Sequence, residues 1–196
     1  MKKCLYIDCC IRREESRTKK LADAFFESLD GYEIKHLVLE NENLKPLVGD
    51  FFFERQELLD KGELNHSRFN YAHEFAEADL VVMAAPFWDL NFPALLKIYI
   101  ENISVDSITF SSTEEGLKGL CKADNLIFLT TRGGIYGENN PLETADKYLS
   151  QFVPFYGFDK YTSIAADGMD IQGFDAKGSL DNAINKAKEL AKELSK

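Results

Sequence analysis

The chain has 196 residues, of which 45% are hydrophobic and 29% charged, and its formal net charge is −10 at pH 7. This length predicts a single domain over residues 1–196 with one well-buried core. The acidic balance argues against nucleic acid or an anionic membrane as a partner, because both require an excess of Lys and Arg. Asp8 interrupts the first apolar run before a signal peptide or membrane span could form, so we expect a cytoplasmic protein.

The cysteines and histidines do not indicate a metal centre. The four cysteines, at positions 4, 9, 10 and 121, lack the spacing of a zinc site, and a chain of this size needs no disulfide. The three histidines form no metal-ligand pattern with nearby carboxylates or cysteines. We therefore expect reduced thiols and no bound metal.

Strand-like and helix-like segments alternate along the chain, which predicts a doubly wound α/β fold built on a parallel sheet. The predicted strands are Lys3–Asp8, Tyr32–Val38, Leu80–Ala85, Asn125–Thr131 and Lys160–Ala165. Helices are predicted to begin near Ser16, after Gly49-Asp50, after Ser67 and after Pro93, and the last spans Asp181–Leu194. Gly31 is expected to stop the first helix, and Ile108–Phe110 is expected to form a hairpin with Gly116–Leu120.

An aromatic loop follows the third predicted strand. Leu80–Ala85 is a continuous apolar run, as expected of a strand covered on both faces, and the following proline is expected to end its hydrogen-bonding ladder. Ligands of open α/β sheets lie outside the carboxyl ends of the strands. The residues at that position are Pro86, Phe87, Trp88, Asp89 and Leu90. This loop is therefore predicted to bind a flat, electron-poor ring.

The segment between the first strand and the first helix has the outline of a phosphate site. The free amides and the positive dipole end of the helix face the carboxyl edge of the sheet. Ser16 and Thr18 can donate hydroxyl hydrogen bonds, and Arg17 can add a charge-assisted one. The alternative is that Ser16 only caps the helix while the nearby arginines balance two glutamates.

A third loop leaves the fourth predicted strand at Thr131 and continues through Arg132. Gly133 and Gly134 let the backbone approach a ligand closely or adopt a positive φ, so their amides can bond the carbonyl edge of a heterocycle. Tyr136 is a candidate to face the reacting partner. The alternative is that the two glycines form only a tight turn.

These segments, in this order, resemble the FMN-dependent NADH-azoreductases and NAD(P)H:quinone oxidoreductases of the flavodoxin-like superfamily. The middle motif of that family is matched by Ala85, Pro86, Phe87, Trp88, Asp89, Leu90, Pro93, Leu96 and Lys97. Its Ser-Arg-Gly-Gly motif is matched by Thr131, Arg132, Gly133 and Gly134, and its Ser-x-Ser phosphate loop by Ser16, Arg17 and Thr18.

The resemblance implies a flavodoxin-like sheet of five parallel strands that holds FMN. The phosphate would lie at the first loop, the isoalloxazine against residues 87–90 and the pyrimidine edge near residues 132–134. NADH or NADPH would reduce the flavin, which would then reduce a quinone, an azo compound or a similar aromatic acceptor. The resemblance also implies a homodimer, with each site at the subunit interface.

Three departures from the family pattern bear on that site, and one of them is the charged run from Arg12 to Glu15, which leaves substrate access at that rim open. Cys10 stands where these enzymes often have a serine of the phosphate loop, and its backbone amide is then the remaining donor. Asp89 replaces an asparagine, and its negative charge beside the flavin is expected to lower the flavin potential.

Other functions remain open at this point. A flavodoxin-type electron carrier, which holds FMN without oxidising a nicotinamide directly, suits the acidic charge. A low-molecular-weight phosphatase is disfavoured, because six residues separate Cys10 from Arg17 where that family has five. A relative that has lost its cofactor is the third alternative.

Overall fold

A parallel sheet lies at the centre of the protein. The computed structural model describes residues 1–137 and 140–196. The strands are β1 Lys2–Asp8, β2 Tyr32–Val38, β3 Leu80–Ala84, β4 Phe110–Thr113, β5 Gly116–Gly119, β6 Asn125–Thr131 and β7 Lys160–Ala166. Five of them form one sheet in the order β2-β1-β3-β6-β7. The predicted doubly wound sheet is confirmed, and each of its strands is correct to within one residue.

Helices cover both faces of this sheet. They are α1 Arg17–Phe26, α2 Gly49–Asp60, α3 Asn70–Glu77, α4 Ala94–Ile103, α5 Ala145–Ser150 and α6 Ala176–Leu194. On one face, α1 and α6 pack through small and aromatic side chains such as Phe25 and Ala187. On the other face, α3 and α4 pack through Phe75, Leu96 and Tyr99.

The strands at the centre of the sheet are apolar on both sides because both sides are covered. Every residue of β3 is buried, and β1 alternates between the two cores, with Tyr6 on the α1 side and Ile7 on the α3 side. This burial fixes the register of the strands, and it aligns the carboxyl ends of β1, β3 and β6 at one edge.

Several predicted boundaries were wrong. Helix α1 ends at Phe26 rather than at Gly31, and α6 begins at Ala176, five residues early, because the Asp175 side chain accepts a hydrogen bond from Gly178 N at 2.9 Å. The turn of the hairpin is shorter than expected, because β4 spans Phe110–Thr113 and β5 begins at Gly116. The short helix α5 and the π-helical turn at Val153–Gly157 were not predicted.

Strand β3 ends at Ala84, before Pro86, as expected, and one isolated bridge follows. Pro86 has no N–H, but the next residue resumes the pairing, since Phe87 N donates to Thr131 O at 3.0 Å. Within the described residues, no helix is long and apolar enough to cross a membrane.

Candidate functional site

Three loops meet at the carboxyl edge of the sheet and line one cleft. They are the loop between β1 and α1, the loop after β3 and the loop after β6, and the segment after β7 closes the cleft on its fourth side. The lining residues are Arg12, Glu15, Ser16, Arg17, Thr18, Pro86, Phe87, Trp88, Thr131, Gly133, Met169 and Asp170. The predicted residues Cys10, Asp89, Leu90, Arg132 and Gly134 lie beside this lining rather than in it.

The first turn of α1 presents backbone amides to the cleft. Ser16 is the N-cap, and its Oγ accepts from Lys19 N at 3.1 Å, while the hydroxyls of Thr18 and Thr131 lie 2.7 Å apart in the protein interior. Both predicted hydroxyl groups therefore have partners within the protein. The helix leaves the N–H groups of Arg17 and Thr18 without an acceptor in a preceding turn, so these two amides are available anion donors. The Ser16 hydroxyl only accepts in its hydrogen bond and keeps its own proton to donate.

The side chain of Arg17 spans the cleft. Its Nη1 donates to Met169 O at 2.8 Å and to Asp170 Oδ1 at 2.9 Å, and part of the guanidinium is exposed. The segment that supplies these acceptors was missed by the sequence analysis. A sequence signal for it was present, because Gly168 follows the last predicted strand at a carboxyl end of the sheet.

The two adjacent cysteines lie below the first loop. Cys10 N donates to Asp8 Oδ1 at 2.8 Å, and Cys10 Sγ lies 3.8 Å from Ala84 O. Burial raises the pKa of the Cys9 thiol to about 12 and raises that of Cys10 further. Both groups are protonated thiols at neutral pH, and Cys10 lines a neighbouring cavity together with His36.

The aromatic loop contains a strained turn. Trp88 N donates to Asn91 O at 2.6 Å, and Asn91 N returns a bond to Trp88 O at 2.9 Å. The central residues, Asp89 and Leu90, have φ values of 49° and 68°, a region that costs an L-residue about 1–2 kcal/mol. Thr144, which the sequence analysis did not identify, holds the turn, since its Oγ1 donates to Leu90 O and accepts from Asn91 Nδ2.

Neither glycine of the third loop has a positive φ, so what distinguishes both positions is the missing Cβ. A Cβ at Gly133 would lie 2.6 Å from Asp170 Oδ2, and a Cβ at Gly134 would lie 3.1 Å from the ring of Tyr136. That ring packs against Phe87 with a centroid distance of 4.7 Å. The third loop is thus packed directly on the aromatic loop and on the segment after β7.

A family model described as a flavodoxin-like fold matches residues 2–191. The chain belongs to this flavodoxin-like family. The predicted resemblance is confirmed by relatives that align along nearly the whole chain. An FMN-dependent NADH:quinone oxidoreductase of Clostridium acetobutylicum is 41% identical, with 98% of this chain and 100% of the relative covered. One of Clostridium perfringens is 39% identical over the same shares of the two chains.

Solved structures give the same placement within the flavodoxin-like family. An azoreductase from Bacillus anthracis has a TM-score of 0.86 at 27% identity and covers 98% of this chain and 100% of its own. An FMN-dependent NADH-azoreductase from the same species, solved in complex with FMN, has a TM-score of 0.87 at 23% identity and covers 100% of both chains. The latter likeness concerns the fold alone.

Proposed function

We propose that this protein is an FMN-dependent oxidoreductase that takes electrons from NADH and passes them to a quinone or an azo compound. The observation that carries the proposal is the convergence of three loops on one cleft, in a chain about 40% identical to two FMN-dependent NADH:quinone oxidoreductases. Those relatives support NADH as the donor and a quinone as the acceptor. The structural neighbours named azoreductases support azo compounds as further acceptors.

The residues of the cleft fit FMN. The unpaired amides of Arg17 and Thr18, with the partly exposed guanidinium of Arg17, suit a phosphate at a helix N-terminus. Phe87 and Trp88 offer flat apolar surface for an isoalloxazine ring. Gly133 brings backbone to the same cleft without a side chain, which suits the polar edge of the ring.

When bound, FMN would accept a hydride from the nicotinamide and supply electrons to the acceptor. The protein has the simpler tasks of holding the ring and limiting the access of water. Phe87 would help to hold the ring, because its backbone is hydrogen-bonded to the end of β6. The exposed side chains of Trp88 and Leu90 offer apolar contacts to a planar substrate. No nucleophile of the chain would be needed for this transfer, and the protons that the acceptor takes up would come from the reduced flavin or from solvent.

The assembly and the location belong to the same proposal. A homodimer is supported by the exposed Trp88, Leu90 and Ile135, which belong to two of the loops that form the cleft and are suited to burial against a second copy. A cytoplasmic location is supported by the four free thiols. Residues 1–196 would act as a single domain.

Steady-state kinetics separate this proposal from an FMN electron carrier. The FMN-loaded protein is expected to oxidise NADH continuously when a water-soluble benzoquinone is present, and to decolorise an azo dye in the same assay. A protein that retains FMN but shows no NADH oxidation above that of free FMN would instead be a carrier.

A further inference from the structure

We propose that Arg132 is a positioning residue, which acts with Asp167 to hold the Tyr136 ring against Phe87 at the edge of the cleft. The inference rests on the proposed function only in that it takes this cleft to be the flavin site. The contacts that carry it belong to the chain alone.

Both backbone polar groups of Tyr136 are hydrogen-bonded. Its N–H donates to Asp167 Oδ2 at 2.8 Å, and its carbonyl oxygen accepts from Arg132 Nη1 at 3.2 Å. The two holding groups also face each other, since Arg132 Nε lies 3.6 Å from Asp167 Oδ1. A residue held at its N–H and at its C=O has little freedom in φ and ψ, so the direction of its Cα–Cβ bond is fixed, and the contact with Phe87 then places the ring.

The ring of Tyr136 fills a space that the sequence leaves for it. It packs on Phe87 at 4.7 Å, and Phe87 lines the cleft. Gly134 makes room, because a Cβ there would lie only 3.1 Å from the tyrosine ring. Movement of Tyr136 would therefore remove one side of the packing around the aromatic loop.

The guanidinium of Arg132 is also bound to an aspartate outside the loop. Its Nη2 donates to Asp146 Oδ2 at 2.7 Å, and the other oxygen of Asp146 accepts from Tyr161 Oη at 2.5 Å. Arg132 is only 5% exposed, and its Nη1 and Nη2 atoms bond to groups of the protein. A planar guanidinium can donate to Asp146 and to the Tyr136 carbonyl while its Nε faces Asp167 at 3.6 Å, whereas an ammonium group has no such fork.

A merely structural role for Arg132 would lower stability without acting through Tyr136. A double-mutant cycle distinguishes the two roles, with Arg132→Gln, Tyr136→Ala and the double variant. Arg55→Gln is the matched control, because Arg55 is also buried and donates to a carbonyl, that of Ser104 at 2.7 Å, but lies outside the cleft.

The first measurement uses the FMN-free protein. Amide hydrogen exchange in residues 132–137 is expected to accelerate about tenfold or more in Arg132→Gln and to stay unchanged in Arg55→Gln. If Arg132→Gln does not fold, Arg132→Lys, which keeps a cation beside Asp146 without the fork, should show the same local acceleration. Unchanged exchange in a folded Arg132 variant would overturn the proposal, whether or not the protein binds FMN.

The second measurement tests the coupling to Tyr136. In Arg132→Gln and in Tyr136→Ala, the FMN dissociation constant is expected to rise about tenfold and kcat/KM for NADH to fall about tenfold. This size is expected for a small displacement of the reacting groups. The double variant should be no worse than Tyr136→Ala. Losses that multiply would mean that Arg132 acts independently of Tyr136, and failure of every variant and the parent to bind FMN would instead count against the proposed function.

Discussion

The hydroxyl groups of Thr18 and Thr131 lie 2.7 Å apart in the protein interior, and this contact joins the first turn of α1 to the end of β6. Two of the three loops that form the cleft are thereby fixed relative to each other. Only one of the two hydroxyls donates in this contact, so the accepting hydroxyl keeps its own proton for a further hydrogen bond.

Replacement of one member of this threonine pair should be costly. Thr18→Val leaves the Thr131 hydroxyl buried without its partner, which is expected to lower the free energy of unfolding by about 1–3 kcal/mol. The double variant with Thr131→Val should cost less than twice the single change, since no lone polar group remains. Urea denaturation measures both.

The exposed hairpin provides the control for that experiment. Thr113 Oγ1 donates to Gly116 O at 2.9 Å in an exposed position, so Thr113→Val should change the unfolding free energy by less than about 0.5 kcal/mol. If the losses of unfolding free energy in Thr18→Val and Thr131→Val add up in the double variant, the two hydroxyls do not stabilise the protein through each other.

Arg17 and Arg12 both line the cleft, but only Arg17 reaches across it. Arg17→Ala is expected to raise the FMN dissociation constant about 5- to 10-fold, because a charge-assisted hydrogen bond to the phosphate is lost. Arg12, which is largely exposed and paired with Glu15, should matter less than about twofold when changed to alanine. Fluorescence titration of the two variants with FMN gives the comparison, and equal constants would remove Arg17 from the phosphate site.

Asp89 carries a negative charge at the exposed turn of the aromatic loop. Asp89→Asn is expected to raise the flavin midpoint potential by a few tens of millivolts, which corresponds to on the order of 1 kcal/mol of charge interaction through a solvent-exposed path. Asparagine tolerates the positive φ of this position, so the turn should persist. A potential that does not move would mean that the carboxylate points away from the ring.

Gly133 and Gly137 differ in the space around their Cβ positions, so they test how closely the third loop approaches the segment after β7. A Cβ at Gly133 would displace the Asp170 side chain, which is bonded to Arg17, so Gly133→Ala is expected to weaken FMN binding about threefold to tenfold. Gly137 has open space around its Cβ position, and Gly137→Ala should leave binding unchanged. Equal binding by both variants would show that the segment after β7 has no influence on the cofactor.

The sequence predicted the sheet well because its strands are apolar runs of ordinary length, covered on both faces. The cap at Ser16 and the motif loops were equally readable, since they depend on local residue types. The contacts of Arg132 could not be predicted in this way. Its partners, Asp146 and Asp167, come from separate segments, and no local pattern indicates that a positively charged residue in a loop turns into the interior.

The same limit applies to Thr144 and to Asp170. Each contacts the site through a single side chain from a distant segment, and neither lies in a motif. The strain at Leu90 was invisible for a related reason, because a leucine with a positive φ is maintained by its surroundings rather than by its own preference.

The central claim is that the cleft binds FMN and that NADH reduces it there. The most direct measurement is the absorption spectrum of the purified protein after incubation with FMN and desalting, followed by addition of NADH without oxygen. The account predicts flavin bands that survive desalting in near-stoichiometric amount and bleach on addition of NADH. Flavin bands that do not bleach would contradict the reductase assignment, and their loss on desalting would contradict the assignment of the site.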